Sequence, residues 1–221
     1  MKILFFGQEG CSYSSDAFDY LQKLGHEITV FWSKERNEKI PQEILSWKGD
    51  YLFCFYSYAI IPQTLLDRVN VAINFHPSSP EHPGSGMINW AIYNKSKQFG
   101  VTAHLINDKI DGGRILKVKR FNILDNDDIE SLMSRTKFYY IILFYEIIQD
   151  LLIDNKSIDE LLEIGKDEKW NGEPRKIKQV DKMSLIDINI EREELDMRIK
   201  SFHTEKFPLS LYLHGRKFIH V

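Results

Sequence analysis

Asn74 and His76 stand two residues apart at the end of an apolar run over residues 71–75, and Asp111 follows 35 positions later, directly before Gly112 and Gly113. Period two along a strand puts Asn74 and His76 on one face. It turns Ile73 and Phe75 the other way, into packing. The three side chains suit proton handling around a carbonyl. An imidazole titrates near ~6.5 and exchanges a proton close to neutrality. A carboxylate orients it and stabilises its charged form. An amide donates to an oxygen that gains negative charge. A lone Asn-x-His is adequately explained as the polar end of a strand. The second segment, with Asp111 in a loop after a β-rich run, gives the pair a chemical reading.

These groups need elements to hold them. Residues 2–7 form a short apolar run that ends in glycine, read as a buried strand. Residues 15–24 are amphipathic and stop at Gly25, a helix with a C-terminal glycine. Strands are expected over 27–32, 50–56, 71–75, 100–106 and 114–123, with helices over 63–69 and 84–93 between them. Alternation of this kind implies parallel βαβ units. Asp127 and Glu130 are spaced as a capping box. The apolar residues behind them, among them Phe138, Ile141, Tyr145 and Leu152, predict one long amphipathic helix over 129–152. Residues 165–182 are polar and read as an irregular loop containing Trp170. A second amphipathic helix is expected over 191–202, and a hairpin over 212–220 turns at His214-Gly215. The fold class is α/β: a Rossmann-like, mostly parallel sheet over 1–154, then a small C-terminal loop, helix and hairpin over 155–221. An open sheet of this class binds ligands outside the carboxyl ends of its strands, where residues 74–76 lie. Pro77, Pro80, Pro83, Gly84 and Gly86 stiffen the exit loop and let its backbone approach a ligand.

Composition excludes several classes. The 221 residues are 43% hydrophobic and 28% charged, which rules out disorder. With 29 Lys+Arg against 32 Asp+Glu, the net charge of −3 argues against a nucleic-acid binder. Cys11 and Cys54 alone build neither a disulfide framework nor a four-cysteine zinc site. The opening MKILFFGQEG reads as a strand and not a leader. The apolar stretch over 138–148 is broken by Glu146 and falls short of a membrane span. A soluble, cytoplasmic protein with no membrane partner is expected.

Other motifs carry less. The turn Gly7-Gln8-Glu9-Gly10 has two glycines at the wrong spacing for a dinucleotide, and Glu9 repels phosphate. His76, His82, His104, Asp108 and Asp111 have no metal-ligand spacing, so no metal is expected. Trp170 is either a cap over the small C-terminal part or a stacking surface for a base. Lys166, Lys169, Arg175, Lys176 and Lys178 alternate with acids as a solvated face does, with a phosphate contact by one of them as the alternative. Phe202 and His203 read as core and helix end.

Together, the pieces carry a resemblance over residues 55–116. Asn-x-His-Pro, the loop HPSSPEHPGSG, the run Trp-Ala-Ile-Tyr, Gly-Val-Thr-x-His and Asp-x-Gly-x-Ile-Leu resemble the folate-dependent formyltransferase family. Within it they look most like the nucleotide-sugar N-formyltransferases. The Ser78-Ser79-Pro80 loop departs from the Ser-Leu-Leu-Pro of the tRNA and purine branches. The segment Arg198 to Thr204, followed by Phe207-Pro208, resembles a C-terminal signature of the sugar enzymes. The resemblance implies a catalytic trio of Asn74, His76 and Asp111, and formyl transfer from N10-formyltetrahydrofolate to a nucleotide-linked amino-deoxy sugar. A thymidine-linked 4-amino-4,6-dideoxyhexose destined for surface polysaccharide such as O-antigen is the implied acceptor. It implies folate held by the backbone of Ser57, Tyr58, Ala59, Ile60 and Ile61 and of Asn107, Asp108, Lys109 and Ile110. Acceptor contacts are implied for His76, Pro77, Gly84, Trp170, Phe202 and His203. No metal and no nucleic-acid partner are implied, and a homodimer is expected from the hairpin and its aromatic residues. The rivals are a formyltetrahydrofolate hydrolase, a phosphoribosylglycinamide or tRNA formyltransferase, and a non-catalytic nucleotide-sugar binder.

Overall fold

The computed structural model describes residues 1–36 and 38–220. Its centre is β1 (Lys2–Gln8), whose Ile3, Leu4, Phe5 and Phe6 are fully buried because the strand is covered on both faces. Beside it run β2 (Glu27–Ser33), β3 (Gly49–Phe55) and β4 (Val69–His76), all parallel. Then β5 (Gln98–Leu105) and β6 (Ile115–Asn122) add antiparallel, giving one sheet in the order β2-β1-β3-β4-β5-β6. The strand order reverses between β1 and β3, the kind of switch point outside whose carboxyl ends an open sheet binds ligands.

Helices supply the crossovers. α1 (Ser12–Lys23) ends before Gly25, whose φ of +74° is the left-handed stop that glycine adopts freely. α2 (Gln42–Leu45) and α3 (Gln63–Leu66) are single turns, and α4 (Met87–Tyr93) follows the proline-rich loop. α5 (Ile129–Ile148) lies across one sheet face and packs Tyr140 and Phe144 onto Phe55 and Phe75, with ring centroids 4.2–5.9 Å apart among them. The opposite face is closed by Ile44 and Leu65 against Leu4, Phe6, Leu52 and Cys54.

Several expectations are corrected. The capping box sits one residue later, between Asp128 and Ser131. Asp127 is instead buried, accepting from the Leu124 backbone and pairing with Arg135. The long helix does not run on to residue 152, since residues Gln149–Ile153 form a π-helical turn. Phe138, expected on its packed stripe, is 59% exposed. The helix expected from residue 84 begins at Met87, because Gly84 and Gly86 both take left-handed φ. The helix expected over 63–69 is only the turn α3, and β4 starts at Val69. The C-terminal part holds more helix than composition suggested. α6 (Ile158–Ile164), capped by Ser157, precedes Trp170, and α7 (Ile177–Ser184) takes up the end of the expected loop and runs two residues past it. α8 (Arg192–Phe202) and the hairpin of β7 (Ser210–Leu213) and β8 (Arg216–Ile219) follow. Among the described residues, no helix is long and apolar enough to cross a membrane.

One buried hydroxyl ties α5 to the strand ends. Tyr140 Oη accepts from the Tyr56 backbone N–H at 3.1 Å and donates to the Phe75 carbonyl, between Asn74 and His76. Tyr140→Phe keeps the ring and strands both backbone groups. Leaving a buried partner unsatisfied costs about 1–3 kcal/mol, so urea denaturation of this variant is expected to show that loss. An unchanged midpoint would show the bridge to be dispensable.

Candidate functional site

Antiparallel pairing of β4 with β5 sets Asn74 opposite His104 and His76 opposite Thr102. Cross-strand partners on one face are neighbours, and Asn74 Nδ2 lies 3.0 Å from His104 Nε2. His104 is buried, and its Nδ1 lies 2.8 Å from its neighbour's carbonyl, Leu105 O. A carbonyl only accepts, so the geometry assigns the proton to Nδ1 and leaves Nε2 as the acceptor. Burial drives the His104 pKa down to about 4, against the pull of the nearby Asp111 charge. His104 is therefore neutral near pH 7. It takes one N–H of Asn74, fixes the amide, and leaves the second N–H free to point elsewhere.

Asp111 joins the pair from the loop after β5. Its side chain is 9% exposed, with Oδ1 3.4 Å from His76 Nδ1 and 3.8 Å from His104 Nε2. Its other oxygen, Oδ2, accepts from the Gly84 N–H at 2.8 Å. Asp111 holds this place with φ +44°, and Tyr56, at the end of β3, has φ +59°. Left-handed backbone at non-glycine residues is sparsely populated and tends to gather at functional sites. Gly113 cannot be replaced without shifting the turn, since a Cβ there would fall 1.7 Å from Leu105 O. With Nδ1 of His76 facing the carboxylate, Nε2 of His76 is buried and has no partner. It is the one ring nitrogen of the trio free to meet a reactant.

The sequence-predicted residues divide. Asn74, His76 and Asp111 converge. Pro77 leads the chain out of β4, and Gly84 holds Asp111 by its N–H. The loop over 57–61 borders the site, but part of its backbone is already occupied. Tyr58 N–H donates to Ser33 Oγ and Ala59 N–H to Ser57 Oγ. That leaves the N–H groups of Ile60 and Ile61 for a ligand. The Asn107 side chain staples its own loop, donating to Gly112 O and accepting from the Lys109 N–H, while Asp108 is exposed. Ile60 and Ile110 are 70% and 64% exposed, one apolar side chain from each loop, which suits the faces of a flat bicyclic ring. Trp170 does cap. Its indole N–H donates to Gly113 O at 2.8 Å, and its ring lies edge-on to His104 and His76 at 5.0 and 5.8 Å. Phe202 is 2% exposed between Trp90 and Tyr93, so its ring serves the packing of α4 on α8 and offers no surface to an acceptor. His203 accepts from the Leu209 N–H and packs on His220. His104 was not singled out as a site residue. Its place opposite Asn74 was available only through strand direction, which the apolar runs do not specify.

His82 lies close by. It is buried with Nδ1 unpartnered, and burial lowers its pKa to about 4, with the Arg175 charge adding to the effect. Both His82 and His104 bind protons in the unfolded chain below about pH 6.5 and refuse them in the fold until about pH 4. Where the unfolded state binds more protons, stability rises with pH. Unfolding free energy is thus expected to fall as pH is lowered from 6.5 to 4. His82→Gln should flatten that slope in urea titrations; a slope equal to the parent's would remove His82 from the account.

The sequence profile of the formyl transferase family matches residues 2–148. The bifunctional polymyxin resistance protein ArnA of Wigglesworthia glossinidia brevipalpis is 33% identical over 117 residues, 52% of this chain and 18% of that protein. A methionyl-tRNA formyltransferase of Parabacteroides distasonis is 28% identical over 126 residues, 56% of this chain and 38% of that protein. The chain thus matches well under two thirds of the length of these relatives. Among solved structures, a sugar N-formyltransferase from a Shewanella species superposes with TM-score 0.77 at 18% identity, covering 100% of this chain and 96% of that one. The N-formyltransferase of Helicobacter canadensis, in complex with folinic acid and dTDP-3-aminofucose, superposes with TM-score 0.69 at 18% identity over 97% and 85% of the two chains. At such identities the likeness is one of fold.

Proposed function

The chain belongs to the formyl transferase family, and on that premise we propose that it moves a formyl group from N10-formyltetrahydrofolate to the amine of a nucleotide-linked amino-deoxy sugar. Residues 1–154 are the catalytic part, and residues 155–221 lay Trp170 over it. The observation that carries the reading is the trio itself: a buried His76–Asp111 pair, an unpartnered His76 Nε2 and an Asn74 amide oriented by His104. Among the fold neighbours, the Shewanella protein is a sugar N-formyltransferase matched over 96% of its length, and the Helicobacter canadensis N-formyltransferase is in complex with folinic acid and dTDP-3-aminofucose. The thymidine-linked 4-amino-4,6-dideoxyhexose is the acceptor first to be tried.

The folate loops fit such a ring. Backbone N–H groups of Ile60 and Ile61 and the exposed Ile60 and Ile110 side chains offer polar edges and apolar faces. Bound there, the folate supplies the activated formyl group. The neutral sugar amine forms the new C–N bond at the formyl carbon, and negative charge grows on the formyl oxygen. The free N–H of Asn74 donates to that oxygen. His76 in its imidazolium form donates from Nε2, its charge balanced by Asp111. As the old C–N bond breaks, His76 Nε2 gives its proton to the folate nitrogen and takes the surplus proton of the sugar amine in its place. A second reading, formylation of methionyl-tRNA, is favoured by the sequence relatives. The net charge of −3 works against it.

Kinetics of two variants test the roles. His76→Asn is expected to lose roughly 10²–10⁴-fold in turnover. Asp111→Asn is nearly isosteric and removes the charge beside His76, so kcat and kcat/KM should fall together. Folate Kd by calorimetry should stay near the parent value. A raised folate Kd with unchanged kcat would make Asp111 a binding residue and refute the proton role.

A further inference from the structure

Arg175 is an unbalanced cation. Its guanidinium lies 4.7 Å over the Trp90 ring, its Nη1 is buried and unpartnered, and burial alone lowers its pKa. Among the described residues, no carboxylate forms an ion pair with it, whereas Arg120 pairs with two and Arg135 and Arg198 with one each. Stacking on an aromatic face offsets part of the cost of desolvating a charge. It leaves the planar N–H fork unused, and that fork matches phosphate oxygens. A second donor stands with it: Trp90 Nε1 is also buried and unpartnered.

The backbone around Arg175 is built into the catalytic loop. Arg175 N–H donates to Pro83 O at 3.1 Å, and Ser85 N–H donates to Arg175 O at 2.7 Å. Gly84, between them, has φ +84°, and a Cβ there would meet the Arg175 backbone at 2.4 Å. The same Gly84 gives its N–H to Asp111. One residue thus links the proton-relay carboxylate to the unpaired cation, and any shift of one strip shifts the other. On the other flank, the loop over 107–110 carries its own exposed cation, Lys109, for an anion on the folate side.

We propose that Arg175 and the Trp90 indole N–H form an anion subsite that takes a phosphate of the acceptor, a glycosyl nucleoside diphosphate, and so sets the distance from phosphate to the reacting amine. The proposal rests on the acceptor being nucleotide-linked. It assigns the phosphate grip to Arg175 of the C-terminal part together with Trp90 of α4, and not to the Gly7–Gly10 turn. Trp90→Phe keeps the ring under the guanidinium and deletes one donor. Arg175→Lys keeps charge without the fork, and Arg175→Gln removes the charge.

The test is calorimetry of thymidine diphosphate and of inorganic pyrophosphate on the full chain and the three variants, with acceptor KM and folate Kd measured alongside. Losing a charged hydrogen bond weakens binding by about tenfold or more. Arg175→Gln should show this for both phosphate ligands and for acceptor KM, with folate Kd held. Trp90→Phe and Arg175→Lys should show smaller losses of the same pattern. Should Arg175→Gln not fold, these two variants carry the test. Phosphate affinities equal to the parent's, or no phosphate binding by the parent, would overturn the proposal. A weakened folate Kd with phosphate affinity intact would give the subsite to the folate carboxylates instead. Formyl transfer to a nucleotide sugar with Arg175→Gln indifferent would sink only this proposal. Phosphate binding through Arg175 without transfer would sink only the functional reading.

Discussion

The site depends on how one buried carboxylate is held. Asp111 is 9% exposed at its side chain, and it is compensated from two directions, by the Gly84 N–H and by His76. Truncating one partner of a buried charge leaves the other uncompensated, which costs far more than a surface pair is worth. The surroundings therefore have little freedom. The left-handed turn at Asp111, the glycine at position 113 that no Cβ could occupy, and the loop that brings Gly84 back to β5 all serve that single placement. Trp170 then lies against the edges of the two histidines, so that the C-terminal part packs onto the trio.

Around the carboxylate, the two imidazoles have different duties because their hydrogen-bond partners differ. His76 turns Nδ1 to the acid and keeps Nε2 free. His104 turns Nδ1 to a carbonyl and spends Nε2 on Asn74. Burial keeps His104 neutral, so it orients the amide without competing for the charge. With one N–H held by His104, the amide keeps its second N–H to offer a reactant, which is what a carbonyl oxygen gaining negative charge needs.

What the sequence made legible follows from periodicity and punctuation. The run at residues 2–7 and most of the run at 50–56 are buried strands because apolar residues fill both faces, whereas the run at 71–75 buries Ile73 and Phe75 and leaves Asn74 partly exposed. Period two placed Asn74 and His76 together, and Gly112-Gly113 marked the turn that carries Asp111. What escaped depended on long-range geometry. No local pattern tells β5 to run antiparallel, so the meeting of His104 with Asn74 was invisible. Capping was misplaced by one residue because Asp127 and Asp128 are chemically equivalent, and the buried pair with Arg135 decided between them. α7 lies in a charged stretch that composition reads as loop, and all its residues stay at least partly exposed. Phe202 reads as core from the residues and as an acceptor contact only from the resemblance, and the structure gives it to the core, between Trp90 and Tyr93.

The central claim is that this trio delivers a formyl group to a sugar amine and not to water. The most direct measurement is carbon NMR with a donor labelled at the formyl carbon, mixed with enzyme and a thymidine-linked 4-amino-4,6-dideoxyhexose. The label is expected to move into a formamide carbon bonded to the sugar nitrogen, and to stay on the folate when the amino sugar is left out. Label appearing as free formate at the same rate with and without the sugar would contradict it.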